Sequence, residues 1–434
     1  NKDTKYEELI DNFHFYHNSN PINSIFSLSL EWGIGNNENN KLSYAAQLGG
    51  IIGSEKFTFN EFKEELQKIG ATVDFSSSGN YTGLNIKGFD KYFDQTINLA
   101  GNFLRTIKIR KEDKKKLKKL IQGSIIERKF EGRETSAKAD ALKEYAIWGN
   151  QSAYLTRPTV REVKKMDSEF LINQIKGAAE VETNVFYTGT TSKETVEALV
   201  RKNFIISKNL RDSNSPYVWD KKLNNENTVY FHNDKKAVQS QIYIIIDGQV
   251  MDEKDRHMSN IFNKYFGGSM SGLVFQEIRE FRSLAYSARG TYRKPFFFDK
   301  TGRFEGYMGT QADKTIDAIE TYMNLLREMP EKVNRMAGIK SGMLQSLTSS
   351  RSNFRGIGNT IRTWRKQGFK EDPKIMQKEV YENAEFEDLV KFYKDYIKDK
   401  PYTIAIVGNK EKIDFNKLSS YGNIIELKKA DIFN

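Results

Sequence analysis

Arg279 and Tyr286 stand seven positions apart near the end of a distinctive stretch, Gly267 to Ser287. It opens with Gly267-Gly268-Ser269-Met270-Ser271-Gly272, which reads as a tight turn with Ser271 as a candidate helix N-cap. A helix from about Gly272 to Phe281 is expected next, because Leu273, Phe275, Ile278 and Phe281 are apolar with Gln276, Glu277 and Glu280 between them. Arg279 falls late in that helix, and Tyr286 begins or precedes the next strand. Near a bound peptide, the guanidinium could fork onto a backbone carbonyl. The phenol could donate to a carbonyl oxygen that becomes negative during hydrolysis. The same pair also suits a packing role, with the arginine on a surface carboxylate and the tyrosine half-buried.

Other chemistry is sparse. Of the four histidines, His14 and His17 are spaced i, i+3 and on a helix could reach one metal. No carboxylate stands beside them at a matching spacing, and Asn18 to Pro21 reads as a turn. His232, in a strand exit, and His257, in a charged helix, read as surface or packing residues. The absence of cysteine removes disulfides, thiolate zinc sites and cysteine nucleophiles. No Gly-x-Ser-x-Gly elbow is present, and the glycine-rich turn lacks the Lys-Ser/Thr ending of a phosphate loop.

These residues must be held by more than one core, since 434 residues exceed one ordinary domain. No apolar run approaches the roughly 20 residues that span a bilayer, so no membrane span is expected and the chain reads as soluble. Much of the net charge of +11 lies between Arg110 and Lys119. That run reads as one face of an amphipathic helix, with Leu117, Leu120, Ile121, Ser124 and Ile125 inward and lysines in solvent. No aromatics interleave the basic residues, so no nucleic-acid partner is expected.

The two halves repeat each other. Strand patterns at Ser24–Gly33, Tyr81–Gly88 and Asn184–Gly189 recur in order at Ser240–Gly248, Arg303–Thr310 and Tyr402–Gly408, offset by about 220 residues. Two domains of one fold are expected, over 1–206 and 228–434, joined by a polar linker at 207–227. Long helices and alternating strands without regular βα alternation point to α+β architecture. Each domain is then a largely antiparallel sheet covered on one face by helices.

The Gly267 to Ser287 stretch resembles a segment of the insulinase/pitrilysin family of zinc metallopeptidases. In that family a zinc-bearing half and a zinc-free half enclose a peptide, and the zinc-free half contributes an arginine and a tyrosine that contact substrate. The resemblance implies this role for Arg279 and Tyr286. The family's zinc motif, His-x-x-Glu-His, follows the first strand of the zinc-bearing half. Here that stretch is Tyr44-Ala45-Ala46-Gln47-Leu48, so Tyr44, Gln47 and Leu48 occupy the two ligand positions and the base position. Glu127 falls near the third ligand position and cannot hold zinc alone. The resemblance therefore implies a zinc-free half with no catalytic residues or metal of its own, zinc being held by a complementary half. That partner half lies in the same longer chain, which the polar start at Asn1 favours, or in a separate subunit. An inactive structural or assembly subunit of the same fold is the alternative. The compartment is open, with a lean to the bacterial periplasm or cell envelope.

Overall fold

The computed structural model describes residues 4–434 apart from 205, 208, 268–269, 281–283 and 351–352. Gly268, Ser269, Phe281, Arg282 and Ser283 of the opening stretch thus lie outside the described residues.

The first sheet is built from β1 (Thr4–Ile10), β2 (Phe13–Ser19), β3 (Ile25–Trp32), β4 (Thr72–Ser77), β5 (Thr82–Phe89) and β6 (Thr183–Gly189), in the order β1-β2-β6-β3-β5-β4. The second contains β7 (Thr228–Asn233), β8 (Gln239–Val250), β9 (Ala285–Arg293), β10 (Thr301–Gln311), β11 (Tyr402–Gly408) and β12 (Asn423–Glu426), in the order β12-β7-β11-β8-β10-β9. Pairing is antiparallel except β2 with β6, β7 with β11 and β12 with β7. The expected α+β class and largely antiparallel sheets are present.

The helices of the first half are α1 (Leu42–Gly49), α2 (Phe59–Lys68), α3 (Phe93–Arg105), α4 (Asp113–Glu131), α5 (Thr135–Trp148), α6 (Ser168–Ala178) and α7 (Lys193–Asn203). Those of the second half are α8 (Glu253–Phe266), α9 (Thr315–Arg327), α10 (Met336–Ser349), α11 (Ile357–Gln367), α12 (Lys374–Asn383) and α13 (Phe386–Tyr396). Period-2 alternation explains β3: Phe26, Leu28, Leu30 and Trp32 are buried, while Ser27, Ser29 and Glu31 face the other way. In α4, Leu117, Leu120, Ile121, Ser124 and Ile125 are half-buried, and Lys114, Lys115, Lys118 and Lys119 stand in solvent.

Two compact units divide the chain: Asn1–Arg128 with Arg157–Val218 and Ser352–Thr363, and Lys129–Thr156 with Trp219–Arg351 and Trp364–Asn434. The passage from Val218 to Trp219 falls within the 207–227 stretch, but two segments belong to the unit of the other half. This corrects the picture of two uninterrupted halves, and burial supplies the reason. In the second unit, α5 lays Ala139, Leu142, Ala146 and Ile147 on Tyr243, Ile245, Ala405 and Val407. It covers the sheet face opposite the main core, so β11 is buried along its whole length. In the first unit the start of α11 lies on the equivalent face. Gly358 packs there against Tyr16 and Phe186 so closely that an added Cβ would come within 2.9 Å of the Phe186 ring. Arg362, 5 % exposed, pairs with Glu31 and stacks 3.9 Å from the Tyr81 ring centroid.

His14 and His17 lie on β2, not on a helix, so at i, i+3 their side chains leave opposite faces. His14 Nδ1 meets the Tyr6 hydroxyl at 3.2 Å and His17 Nε2 meets the Thr191 carbonyl at 2.9 Å. His232, on β7, meets the Leu427 carbonyl at 2.9 Å.

Candidate functional site

The stretch holding Arg279 and Tyr286 is clamped at both ends. At its start, Gly267 lies on β9, where an added Cβ would sit 2.4 Å from the Gly290 carbonyl oxygen. No side chain fits at that crossing, which explains the glycine without any special dihedral angle. Leu273, Val274 and Ile278 are fully buried in the second unit's core. Arg335 donates to the Ser271 carbonyl at 2.8 Å, and Lys332 pairs with Glu277 at 3.1 Å.

The expected regular α-helix is replaced, over Phe275–Glu280, by a π-helical turn. This corrects the sequence expectation. Buried Leu273, Val274 and Ile278 fix the inner side of the turn, and the Leu284 N–H closes onto the Ile278 carbonyl at 3.0 Å to redirect the chain into β9. Wide turns of this kind recur at functional sites. Arg279 is left on the outside with its side chain half exposed. Its guanidinium stacks 4.9 Å from the Phe275 ring centroid, and its Nε stands 3.8 Å from Glu280 Oε1, too far for a hydrogen bond.

Tyr286 sits in a register irregularity. Ser287 pairs with Gly309 and Ala285 with Thr310, so Tyr286 is the extra residue of a β-bulge. Bulges re-aim side chains, and the Tyr286 ring is 80 % exposed instead of half-buried as the packing role assumed. Sequence reasoning did not foresee the bulge. Residues 284–286 form no turn signature, and only the pairing partner reveals the mismatch.

In the first unit, Tyr44, Gln47 and Leu48 all lie on α1. Leu48 is fully buried in the core and Gln47 is exposed on α1. Tyr44 is 7 % exposed, and its hydroxyl lies 2.8 Å from Ser124 Oγ and accepts from Arg128 Nη2 at 2.8 Å. Arg128 also donates to the Pro158 carbonyl. A phenol and a guanidinium thus tie α1 to α4, and the fixed cation opposes a second positive charge there. Glu127 is exposed on α4. Among the described residues no group of three or more His, Asp or Glu could hold a metal ion. These residues do not fit zinc. Ser124 and Arg128, one helical turn apart on α4, were not singled out for this role by sequence; their i, i+4 spacing was the available signal.

Known proteins resemble this chain in sequence and in fold. The family model described as the peptidase M16 inactive domain matches residues 182–336, which include Arg279 and Tyr286. A Bacillus subtilis (strain 168) protein described as an uncharacterized zinc protease, YmxG, is 22% identical over 330 residues, 73% of this chain and 77% of its own length. Among solved structures, a peptidase M16 inactive domain from Pseudomonas fluorescens aligns with a TM-score of 0.70 at 11% identity, over 94% of this chain and 98% of that one. The periplasmic protease PqqL from Escherichia coli aligns with a TM-score of 0.72 at 12% identity, over 94% of this chain and 46% of its own. This chain thus spans less than half of PqqL. The inactive-domain match over residues 182–336, the zinc-protease relative and the shared fold together support a likeness to the zinc-free half of the insulinase/pitrilysin family.

Proposed function

We propose that this chain is the peptide-binding half of an insulinase/pitrilysin-type zinc metalloendopeptidase. Arg279 would grip a backbone carbonyl of the peptide and Tyr286 would donate to the oxygen of the tetrahedral intermediate. Zinc, and the hydroxide it generates, belong to a complementary half, in the same longer chain or in a partner subunit. The single observation that carries this reading is the presentation of the pair. A rigid frame of buried Leu273, Val274 and Ile278 holds outward a guanidinium with only a loose carboxylate neighbour, and a bulge holds outward a phenol. A tyrosine kept for packing has no reason to be 80 % exposed on a bulge. A periplasmic or cell-envelope location goes with this proposal and is checked by fractionation.

The test reconstitutes the chain with its zinc-bearing half and follows cleavage of a quenched fluorogenic peptide. Alone, the chain should hydrolyse nothing and retain no stoichiometric zinc after dialysis. In the assembled enzyme, Arg279→Ala and Tyr286→Phe should each lower kcat by about 10²-fold, the scale of one lost oxyanion donor. Wild-type turnover in both variants would leave the chain as a structural subunit and sink the proposal.

A further inference from the structure

A groove of about 660 Å³ lies in the second unit along α10, with α12 as its far wall and the end of α8 at its base. Its size is that of a ligand site. By order along the chain, α8 and α10 correspond to α1 and α4, the helices that carry Tyr44 and Arg128. Among the described residues, three cations line it, Lys264, Arg335 and Lys374, and no aspartate or glutamate does. Arg335 donates to the Ser271 carbonyl and to Gln276, and Lys374 donates to the Ser350 carbonyl at 2.6 Å. These acceptors are neutral, so both charges are positioned without being neutralised.

The arrangement is elongated. Arg335 stands at the N-terminal end of α10, and Lys374 reaches the carbonyl just beyond its C-terminal end. Between them run the apolar side chains of Ile339, Met343 and Leu347. Beside these, Gly338 and Gly342 keep the wall open, since a Cβ at either would meet nothing within 4 Å. A helix the length of α10 rises about 21 Å, enough for about six residues of extended chain at about 3.3 Å each.

We propose that this groove binds an extended segment of an acidic peptide. Carboxylates would sit on Arg335 and Lys374, and apolar side chains between them would lie on Ile339, Met343 and Leu347. The inference rests on the peptide-binding reading above and adds a class of substrate, peptides with acidic residues flanking a short apolar run.

The test titrates the full chain with a fluorescein-labelled hexapeptide carrying glutamates at both ends and leucines between, followed by fluorescence anisotropy. Saturable binding is expected, at least about tenfold tighter than for the same peptide with terminal lysines. Gly342→Leu puts a side chain into the open groove at a helical position where leucine is the better helix former. It should fold normally and weaken binding at least about tenfold, and Lys374→Gln should weaken it severalfold. Equal binding of the lysine peptide, or unchanged binding by Gly342→Leu, overturns the proposal. So does displacement of the labelled peptide by inorganic tripolyphosphate as effectively as by unlabelled peptide, which would mark a simple anion site. If Gly342→Leu binds normally while Arg279→Ala loses turnover in the assembled enzyme, the groove fails and the peptide-handling role stands. Groove binding with wild-type turnover in Arg279→Ala and Tyr286→Phe gives the reverse.

Discussion

The two sheets share one strand order and differ at their edges. Five strands in each follow the same path, β2-β6-β3-β5-β4 in the first and β7-β11-β8-β10-β9 in the second. The sixth strand does not match, because β1 pairs antiparallel with β2 whereas β12 pairs parallel with β7. At the other edge β4 pairs with β5 in unbroken register, while β9 meets β10 through the bulge at Tyr286. Tyr44, Ser124 and Arg128 tie α1 to α4 in one unit, whereas a cationic groove runs along α10 in the other. A duplicated frame therefore constrains the buried strands, and chemistry diverges where the frame meets solvent.

The segments that cover the outer faces differ in the balance of their contacts, and this is where the largest stability effects are expected. α5 is held mainly by apolar contact, with a Lys138–Asp234 pair beside it, whereas the start of α11 is held mainly by the Arg362–Glu31 pair. Arg362→Ala leaves Glu31 without its cation and should cost about 3 kcal/mol or more. Leu142→Ala should cost about 2–4 kcal/mol by opening a cavity under α5. Urea unfolding of both variants checks the contrast, and equal tolerance of Arg362→Ala and a surface substitution would break it.

The catalytic contrast comes next. The roughly 10²-fold losses expected for Arg279→Ala and Tyr286→Phe in the assembled enzyme correspond to about 2.7 kcal/mol of transition-state stabilisation. Substitutions at Tyr44 or Gln47 should leave turnover within about twofold, because the proposed mechanism places no reacting group there.

A smaller effect separates the units by pH. His257 on α8 is 5 % exposed, and among the described residues neither ring nitrogen has a hydrogen-bond partner. Burial, then the charges of Lys294 and Arg256, lower its pKa from 6.5 to about 4. The unfolded chain therefore takes up the proton first. Stability is fully present above pH ~6.5 and falls as the pH drops toward about 4, by at most about 3 kcal/mol. Denaturation midpoints at pH 7.5 and 5.0 should differ more in the wild type than in His257→Leu. Equal pH dependence would show that the imidazole is not the sensitive group. The smallest effect is at the tie between α1 and α4. Tyr44→Phe removes the hydroxyl that meets Ser124 and Arg128 and should cost about 1–2 kcal/mol without creating zinc affinity, as calorimetric titration would show.

Strand patterns at an offset of about 220 residues were legible because period-2 alternation is local and repetition compounds it. Strands β1, β2, β4 and β12 were not read, since β1, β4 and β12 lie at sheet edges and β2 is buried on both faces, so none shows clear alternation. His14 and His17 were weighed as helical neighbours when only pairing with β1 and β6 reveals a strand. Arg279 and Tyr286 were singled out by type and spacing, but nothing local announces the π-helical turn or the bulge that turns them outward.

By itself the sequence determined the α+β class, the duplicated strands and the absence of a His-x-x-Glu-His motif, because each depends on residue identity at short range. Leucine at position 48 cannot bind a metal in any fold. The tertiary structure alone decided which sheet α5 and the start of α11 cover, how Arg128 comes to meet Tyr44, and how Lys264, Arg335 and Lys374 come to line one groove. Those outcomes depend on contacts between residues far apart in the chain, where burial of apolar surface selects the partner and local propensity carries no information.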